Sequence, residues 1–388
     1  MERLSEIYST VADLYGAEGI ALAAIILAAF AIEIYYYAGI YAPIAGFRLQ
    51  KRKKIRDAQP PVSVIVPIFS ENLAYLDEGL VELLTQDYDR FEVVAVYVGN
   101  DENFYADLSH LRNLYPHLKT TQIDYSPRYP VSAKMALNVG IKAATNEHVI
   151  MTTTDASPAS RRWLSLMAKG FMYGDIVLGY CGLESKKGFF DHLFREYRLT
   201  ESMAWIASAI RRRPFGASRH NLGFTKTLYF GVRGFNHLNM NVGEDDLFIR
   251  RIATADNVAP VLSPRAACTE KRWGGFSWWY NRTLYRGATR QFYSFGAKNF
   301  IAFELVARIL FFAAAICAIV MMPPEYKIAA AAMLVLRYGM VAFVMLRVSR
   351  RLGESGIVGR HVLYDIAEPF VRAYIRLSLL KRNKNAWR

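Results

Sequence analysis

Two acidic stretches hold the residues best suited to chemistry. The first, EHVIMTTTDASP over Glu147–Pro158, runs from an apolar Val149-Ile150-Met151 segment through three threonines to Asp155. β-Branched and apolar content ending in turn formers predicts a buried strand that delivers an aspartate to a loop, with Pro158 barring further strand. In open α/β sheets, ligands collect just beyond the carboxyl ends of the strands. A carboxylate there can hold a hard divalent cation against a diphosphate. The same aspartate could instead cap a helix starting near Ala159, and taken alone it leaves both readings open. The second stretch is GEDDLFIRR, where Gly243-Glu244-Asp245-Asp246 opens a helix. Carboxylates in a first turn are favoured by the helix macrodipole, which makes capping a real alternative. Three adjacent carboxylates also repel one another, which raises proton affinity and can prepare a general base.

The elements that must position these groups alternate. From Pro60 onward PVSVIVP, FEVVAVYV, LKTTQID, the run to Asp155 and DIVLGY read as strands. Helices fall between them, over residues 73–85, in SAKMALNVGIKAA and in WLSLMAKGF. This alternation predicts a mostly parallel sheet with right-handed crossovers, an α/β fold. The loops after the first, second and fourth strands then share one rim, a nucleotide site by geometry. Residues 189–213 are predicted as a long aromatic and basic helix with a loop crossing toward a membrane. NLGFTKTLYF follows as a strand and a helix start, and VAPVL as a strand. In KRWGGFSWWYNRTLYRGATRQFY, Arg282, Arg286 and Arg290 fall four apart and share one helical face. An interfacial helix with aromatics and snorkelling arginines explains that segment equally well.

The flanks are different in kind. Hydrophobic residues make up 53% of the chain because they concentrate at its two ends. Residues 19–42 are apolar except for Glu33, which suits one bilayer span, and the basic RLQKRKKIR follows at once. The leading segment is acidic on balance, so its end is expected outside and the following domain inside. Residues 301–322 and 327–346 are two further spans joined by PPEY, with Arg347, Arg350 and Arg351 after them. Residues 361–380 are apolar but carry Asp365, Glu368, Pro369, Arg372 and Arg376, which fits an interfacial or re-entrant helix. Charges inside spans are costly and usually have partners. Glu33 and Arg337 sit at matching depth and are expected to meet, while Glu304 and Arg308 form an i,i+4 pair. A net charge of +14 is compatible with nucleic acid, an anionic membrane or a phosphorylated substrate. No nucleic-acid recognition motif accompanies it, and basic residues beside spans match anionic lipid. Cys181, Cys268 and Cys317 match no metal or disulfide spacing, which places the body in a reducing compartment.

Taken in order, PVSVIVPIFSEN, LLTQDYDRFEVVAV, KMALNVGIKAA, TTTDASP, PFGASRHNLGF and GEDDLFIRR resemble family 2 glycosyltransferases, membrane-bound bacterial members above all. The resemblance runs to about Tyr293 and includes the flanking spans. It implies the GT-A fold, a nucleotide-sugar donor, an inverting reaction and Mg²⁺ or Mn²⁺ as cofactor. It assigns the metal to Asp155, although D-A-S stands where the family has D-x-D. It assigns the base to Asp245, second of the E-D pair, beside Glu244 and with Asp246 as the neighbouring candidate. Donor contacts fall to Pro67, Phe69 and Glu71 in the first loop, to Asp101 in the second, and to Lys134 in K-x-x-A-L-N-x-G. The family's Q-x-x-R-W signature is absent, and Arg282 and Arg286 take its place as diphosphate contacts.

The expected organisation is a membrane anchor and basic linker over 1–58, a catalytic domain over 59–298, a transmembrane hairpin over 299–350, and an interfacial helix with basic tail over 351–388. The expected function is transfer of a sugar to a lipid or glycan acceptor at the cytoplasmic face of the inner membrane, by a multi-pass protein. Alternatives are a catalytically silent nucleotide- or glycan-binding module and a subunit of a processive polysaccharide synthase. The basic flanks also predict that PPEY is the only external segment after residue 42. In a cysteine-free background, an impermeant thiol reagent applied to intact cells should label a cysteine at Pro324 and miss one at Asn385. Labelling of the tail would overturn this orientation.

Overall fold

The structure, a computed structural model, describes residues 16–128, 131–237 and 242–381. Most of the acidic leader and the basic tail beyond Lys381 lie outside the described residues. Among the described residues the body holds ten strands: β1 (Val62–Ile68), β2 (Phe91–Val98), β3 (Leu118–Ile123), β4 (His148–Met151), β5 (Ala156–Pro158), β6 (Ile176–Gly179), β7 (Cys181–Leu183), β8 (Leu222–Thr225), β9 (Val258–Val261) and β10 (Cys268–Glu270). Seven of them form one sheet in the order β3-β2-β1-β4-β8-β6-β9. The expected parallel pairing holds throughout except at β8, which runs antiparallel to both β4 and β6. A second, three-stranded sheet has the order β5-β10-β7.

Both faces of the large sheet are covered, which is why its central strands read as unbroken apolar runs. Along β1, Val64 and Val66 face Leu80, Leu83, Trp163 and Leu164. Ile65 points the other way, toward the helix Ala133–Ala143 and the membrane-side helices. Gly140 permits that helix to approach closely, since a Cβ there would lie 2.5 Å from the Ile65 methyl.

Pro158 does not end strand structure as expected. Ala156–Pro158 pairs antiparallel with β10 and forms the outer strand of the small sheet. An edge strand tolerates proline because its missing N–H is not needed in the ladder. The next helix is Trp163–Gly170, with Arg162 at its N-cap, so Asp155 caps nothing there.

Among the described residues, three helices are long and apolar enough to cross a membrane, Glu18–Gly46, Phe295–Met321 and Pro324–Leu352. The first widens into a π-helical stretch, Tyr35–Tyr41, that buries Tyr36, Tyr37, Ile40 and Tyr41 against the body. The expected charge partners meet. Arg337 lies 2.9 Å from Glu33, and Arg308 lies 2.7 Å from Glu304. Unexpected from the sequence is the part played by the helix His361–Lys381. Its Asp365 binds Arg337 at 2.5 Å and Arg308 at 3.3 Å, and its Glu368 pairs with Arg308 and Arg372. Asp365 and Glu368 are buried, whereas Leu363, Phe370 and Leu380 are 70–75% exposed. Such an inside-out helix suits apolar surroundings, where outward leucine and phenylalanine face lipid and inward carboxylates neutralise arginines. At the end of the third span, Glu354 accepts from Tyr180 and Arg195 at 2.8 Å each, fastening the membrane helices to the body.

Arg337→Gln leaves Glu33 and Asp365 with only the more distant Arg308, at 3.9 and 3.3 Å, and removing one partner from a buried ion pair typically costs about 3–5 kcal/mol. Adding Asp365→Asn should recover part of that loss, so the double variant loses less than the sum of the singles. Thermal unfolding of the detergent-solubilised variants measures this, and strictly additive losses would show the charges to be independent.

Candidate active site

Beyond β4 the chain turns through Thr152–Thr154 and presents Asp155 beside two residues from distant segments. His220 and Glu270 bring ligand atoms to within 4.8 Å of it and of each other. Each member of this triad is anchored through one atom. The Asp155 Oδ1 accepts from the Thr153 hydroxyl. The His220 Nδ1 meets the Ser218 hydroxyl at 3.1 Å, which leaves Nε2 facing the carboxylates. The His220 carbonyl accepts from Thr152 at 3.0 Å, and the Asn221 side chain is bonded to Trp163, Tyr180 and Ala266. Glu270 ends β10, and its Oε2 accepts from Arg198 and from Arg286.

The charges follow from this packing. Burial holds His220 well below the usual imidazole range despite the two carboxylates, so it is neutral and able to ligate. Burial resists ionisation of Glu270, but Arg198, Arg286 and Arg282 outweigh it and hold the carboxyl well below its usual range. Asp155 behaves alike: burial opposes ionisation, and the Arg282 guanidinium with the Thr153 hydroxyl more than offsets it. Two ionised carboxylates and a neutral imidazole form a donor set that fits a divalent metal. The position two residues after Asp155, where the resemblance leads one to expect a second aspartate, is Ser157 inside β5; the side chains that meet Asp155 are instead those of His220 and Glu270.

Arg282 and Arg286 project inward from the helix Phe276–Gly287, whose aromatic residues Phe276 and Trp279 pack on Phe194. The helix ends at Gly287, so Arg290 leaves the shared face and sits in a 3₁₀ turn, paired with Glu201 at 2.5 Å. Arg286 is lowered to about 10 by burial and by repulsion from Arg198.

The acidic triplet divides its work. Glu244 is buried against Arg219 at 2.8 Å. Asp245 is half-buried at the N-cap, accepting from the Asp246 N–H at 2.8 Å and the Arg219 N–H at 3.2 Å. Asp246 is buried and accepts from the Thr289 and Tyr293 hydroxyls, each at 2.5 Å. Burial, and then the neighbouring Asp245, raise Asp246 to about 7. A cavity is lined by all three carboxylates and by Arg219, Arg282 and Arg286, and its wall reaches Ile301 and Glu304 near the start of the second span.

The other sequence-derived candidates do not line this cavity. Pro67 is buried within β1, one residue before the strand ends. Phe69 is 46% exposed just past it. Glu71 accepts from the Tyr97 hydroxyl at 2.7 Å, and that hydroxyl also accepts from the Asp101 N–H. Asp101 caps the helix Glu102–Leu114 by accepting from the Phe104 N–H at 3.0 Å. Lys134, in the first turn of Ala133–Ala143, is lowered by burial, with Glu244 acting against the shift.

Among solved structures, the mannosyltransferase PcManGT from Pyrobaculum calidifontis, in complex with GDP-Man and Mn²⁺, is similar at 19% identity. The match covers 93% of this chain and 99% of that one, with a TM-score of 0.54, so the shared fold takes in the flanking helices as well as the body. S. aureus TarS 1-349 in complex with UDP-GlcNAc is a looser match, at 17% identity, 83% and 93% coverage and a TM-score of 0.41. No protein-family model matches the chain, and no curated protein matches it.

Asp246 yields a pH prediction. An acid raised from 3.8 to about 7 binds its proton more tightly folded than unfolded. Its contribution is therefore intact below the unfolded value and is lost as pH rises through that window. Asp246→Asn removes the titration. Compared with the variant, the wild type should lose thermal stability between about pH 4 and pH 7. Parallel profiles would show that Asp246 is ionised throughout.

Proposed function

We propose that the chain is a membrane-anchored, inverting glycosyltransferase of the GT-A type. It moves a sugar from a nucleotide-diphosphate donor to a hydroxyl of a lipid or glycan acceptor at the cytoplasmic face of the membrane. One observation carries this reading: a single cavity joins Asp245 and the arginines beside the metal-capable triad to the start of a membrane span. The fold shared with the mannosyltransferase supports it.

On this reading Asp155, His220 and Glu270 hold the metal. A divalent cation there supplies Lewis-acid stabilisation of the charge on the departing diphosphate. An imidazole among the ligands suits Mn²⁺ better than Mg²⁺, which prefers oxygen alone. Arg286, still protonated at neutral pH, adds fixed positive charge along the same wall.

Asp245 is the base. Its neighbour Asp246 is engaged by Thr289, Tyr293 and the Leu247 N–H, whereas Asp245 is half-buried on the cavity wall and held by two backbone N–H groups. The acceptor oxygen forms its bond to the anomeric carbon while the bond to the diphosphate breaks on the opposite face. The electron pair leaves with the diphosphate, and the acceptor proton passes to Asp245. Glu244 and Arg219 neutralise each other and position the base through the Arg219 N–H.

The test is a panel of nucleotide sugars, GDP-mannose first, given to the purified full chain in detergent with and without Mn²⁺. Metal-dependent transfer or hydrolysis with inversion of the anomeric centre is expected. Asp245→Asn should lower turnover about 10²–10⁴-fold, the usual worth of a general base, and leave donor affinity within a few fold. Near-normal turnover in that variant would remove Asp245 from the role.

A further inference from the structure

The metal-capable triad already holds a cation, and it belongs to the protein. One terminal nitrogen of Arg282, Nη2, lies 2.5 Å from Asp155 Oδ2, 2.7 Å from Glu270 Oε1 and 3.3 Å from His220 Nε2. These three atoms are the ones their side chains do not use elsewhere. Asp155 is held through Oδ1, His220 through Nδ1, and Glu270 through Oε2.

We propose that Arg282 is a displaceable occupant of the metal site, so that metal and guanidinium bind the triad in mutually exclusive states. The geometry leaves no shared arrangement. Hard divalent cations sit about 2.0–2.6 Å from their ligand atoms, which is the space the Arg282 nitrogen fills. Two positive charges on one set of atoms would also repel.

The arrangement explains how ionised Asp155 and Glu270 persist side by side in a buried site. Without counter-charges each would be strongly destabilised; Arg198 and Arg286 meet Glu270 from its other oxygen, and Arg282 bridges the two carboxylates. Departure of Arg282 leaves the triad in place. Glu270 keeps Arg198 and Arg286, Asp155 keeps Thr153, and His220 keeps Ser218. The displaced side chain has somewhere to go, because Arg282 is 24% exposed and lines the cavity. If the proposed function holds, the freed guanidinium meets the donor diphosphate there. Loading of metal and release of an anion-binding arginine are then one event, which disfavours metal binding without donor.

Mn²⁺ binding to the full chain in detergent, without nucleotide, tests this by calorimetry or by the paramagnetic resonance of free Mn²⁺. Arg282→Met should bind Mn²⁺ at least ten-fold more tightly than wild type, and Arg282→Gln likewise should it prove the better-folded protein. Adding His220→Ala to either variant should reverse the gain. Equal affinity in wild type and variant would overturn the exchange. Absence of Mn²⁺ binding in every variant would overturn it too, by showing that the triad is no metal site. Neither readout depends on sugar transfer, so failure of the enzymatic reading would show separately in the donor panel.

Discussion

The body depends on a carboxylate with no access to water. Glu270 is fully buried, and an unpaired charge there would cost several kcal/mol. Three guanidinium groups meet it, Arg198 from the helix Asp191–Ile210 and Arg282 and Arg286 from Phe276–Gly287. Because Glu270 ends the central strand of the small sheet, these pairs fix both helices to the sheet. The same contacts set the cavity wall and compose the triad. Structure and site therefore share one electrostatic solution, and Glu270 cannot be altered for one without disturbing the other.

The membrane side solves a similar problem with the same chemistry. Arg308 and Arg337 would be costly in apolar surroundings, and carboxylates from the first span and the last helix surround them. The two charge clusters are not isolated from each other. Arg372 pairs with Glu368 in the membrane-side network and also lines the cavity, as does Glu304, which pairs with Arg308. Part of the cavity wall is thus made from the network that packs the apolar helices, which ties the site to those helices.

Local pattern made much of this legible. The order of strands, the spans, the meeting of Glu33 with Arg337 and the exit of Asp155 from β4 followed from periodicity, length and charge. The antiparallel β8 was not legible as such, because a four-residue apolar strand buried on both faces reads alike in either direction. His220 and Glu270 were missed for a related reason. They lie 65 and 115 residues after Asp155 in the sequence, and convergence over such separations is a property of topology. His220 stands in a stretch whose arginines drew attention, and Glu270 is a single acid before Lys271 and Arg272. Asp101 shows the ambiguity of such readings, since an acid after a strand suits a helix cap, which it forms here, as well as a ligand. The sequence suggested an interfacial or re-entrant helix over 361–380, and nothing local in it indicated that Asp365 and Glu368 would face Arg308 and Arg337 from other helices.

The segment Ser218-Arg219-His220 joins the two halves of the proposed chemistry. Ser218 and His220 serve the metal-capable triad, while Arg219 between them holds Asp245 through its N–H and Glu244 through its guanidinium. Burial and the Asn221 hydrogen bonds leave this segment little freedom. An inverting displacement requires the base and the leaving-group side to keep a set separation across the anomeric carbon, since misplacement by about 1 Å can cost about 10²-fold in rate. Three consecutive residues that touch both sides provide that spacing directly. The precision comes from covalent chain geometry, with hydrogen bonds needed only to hold each end.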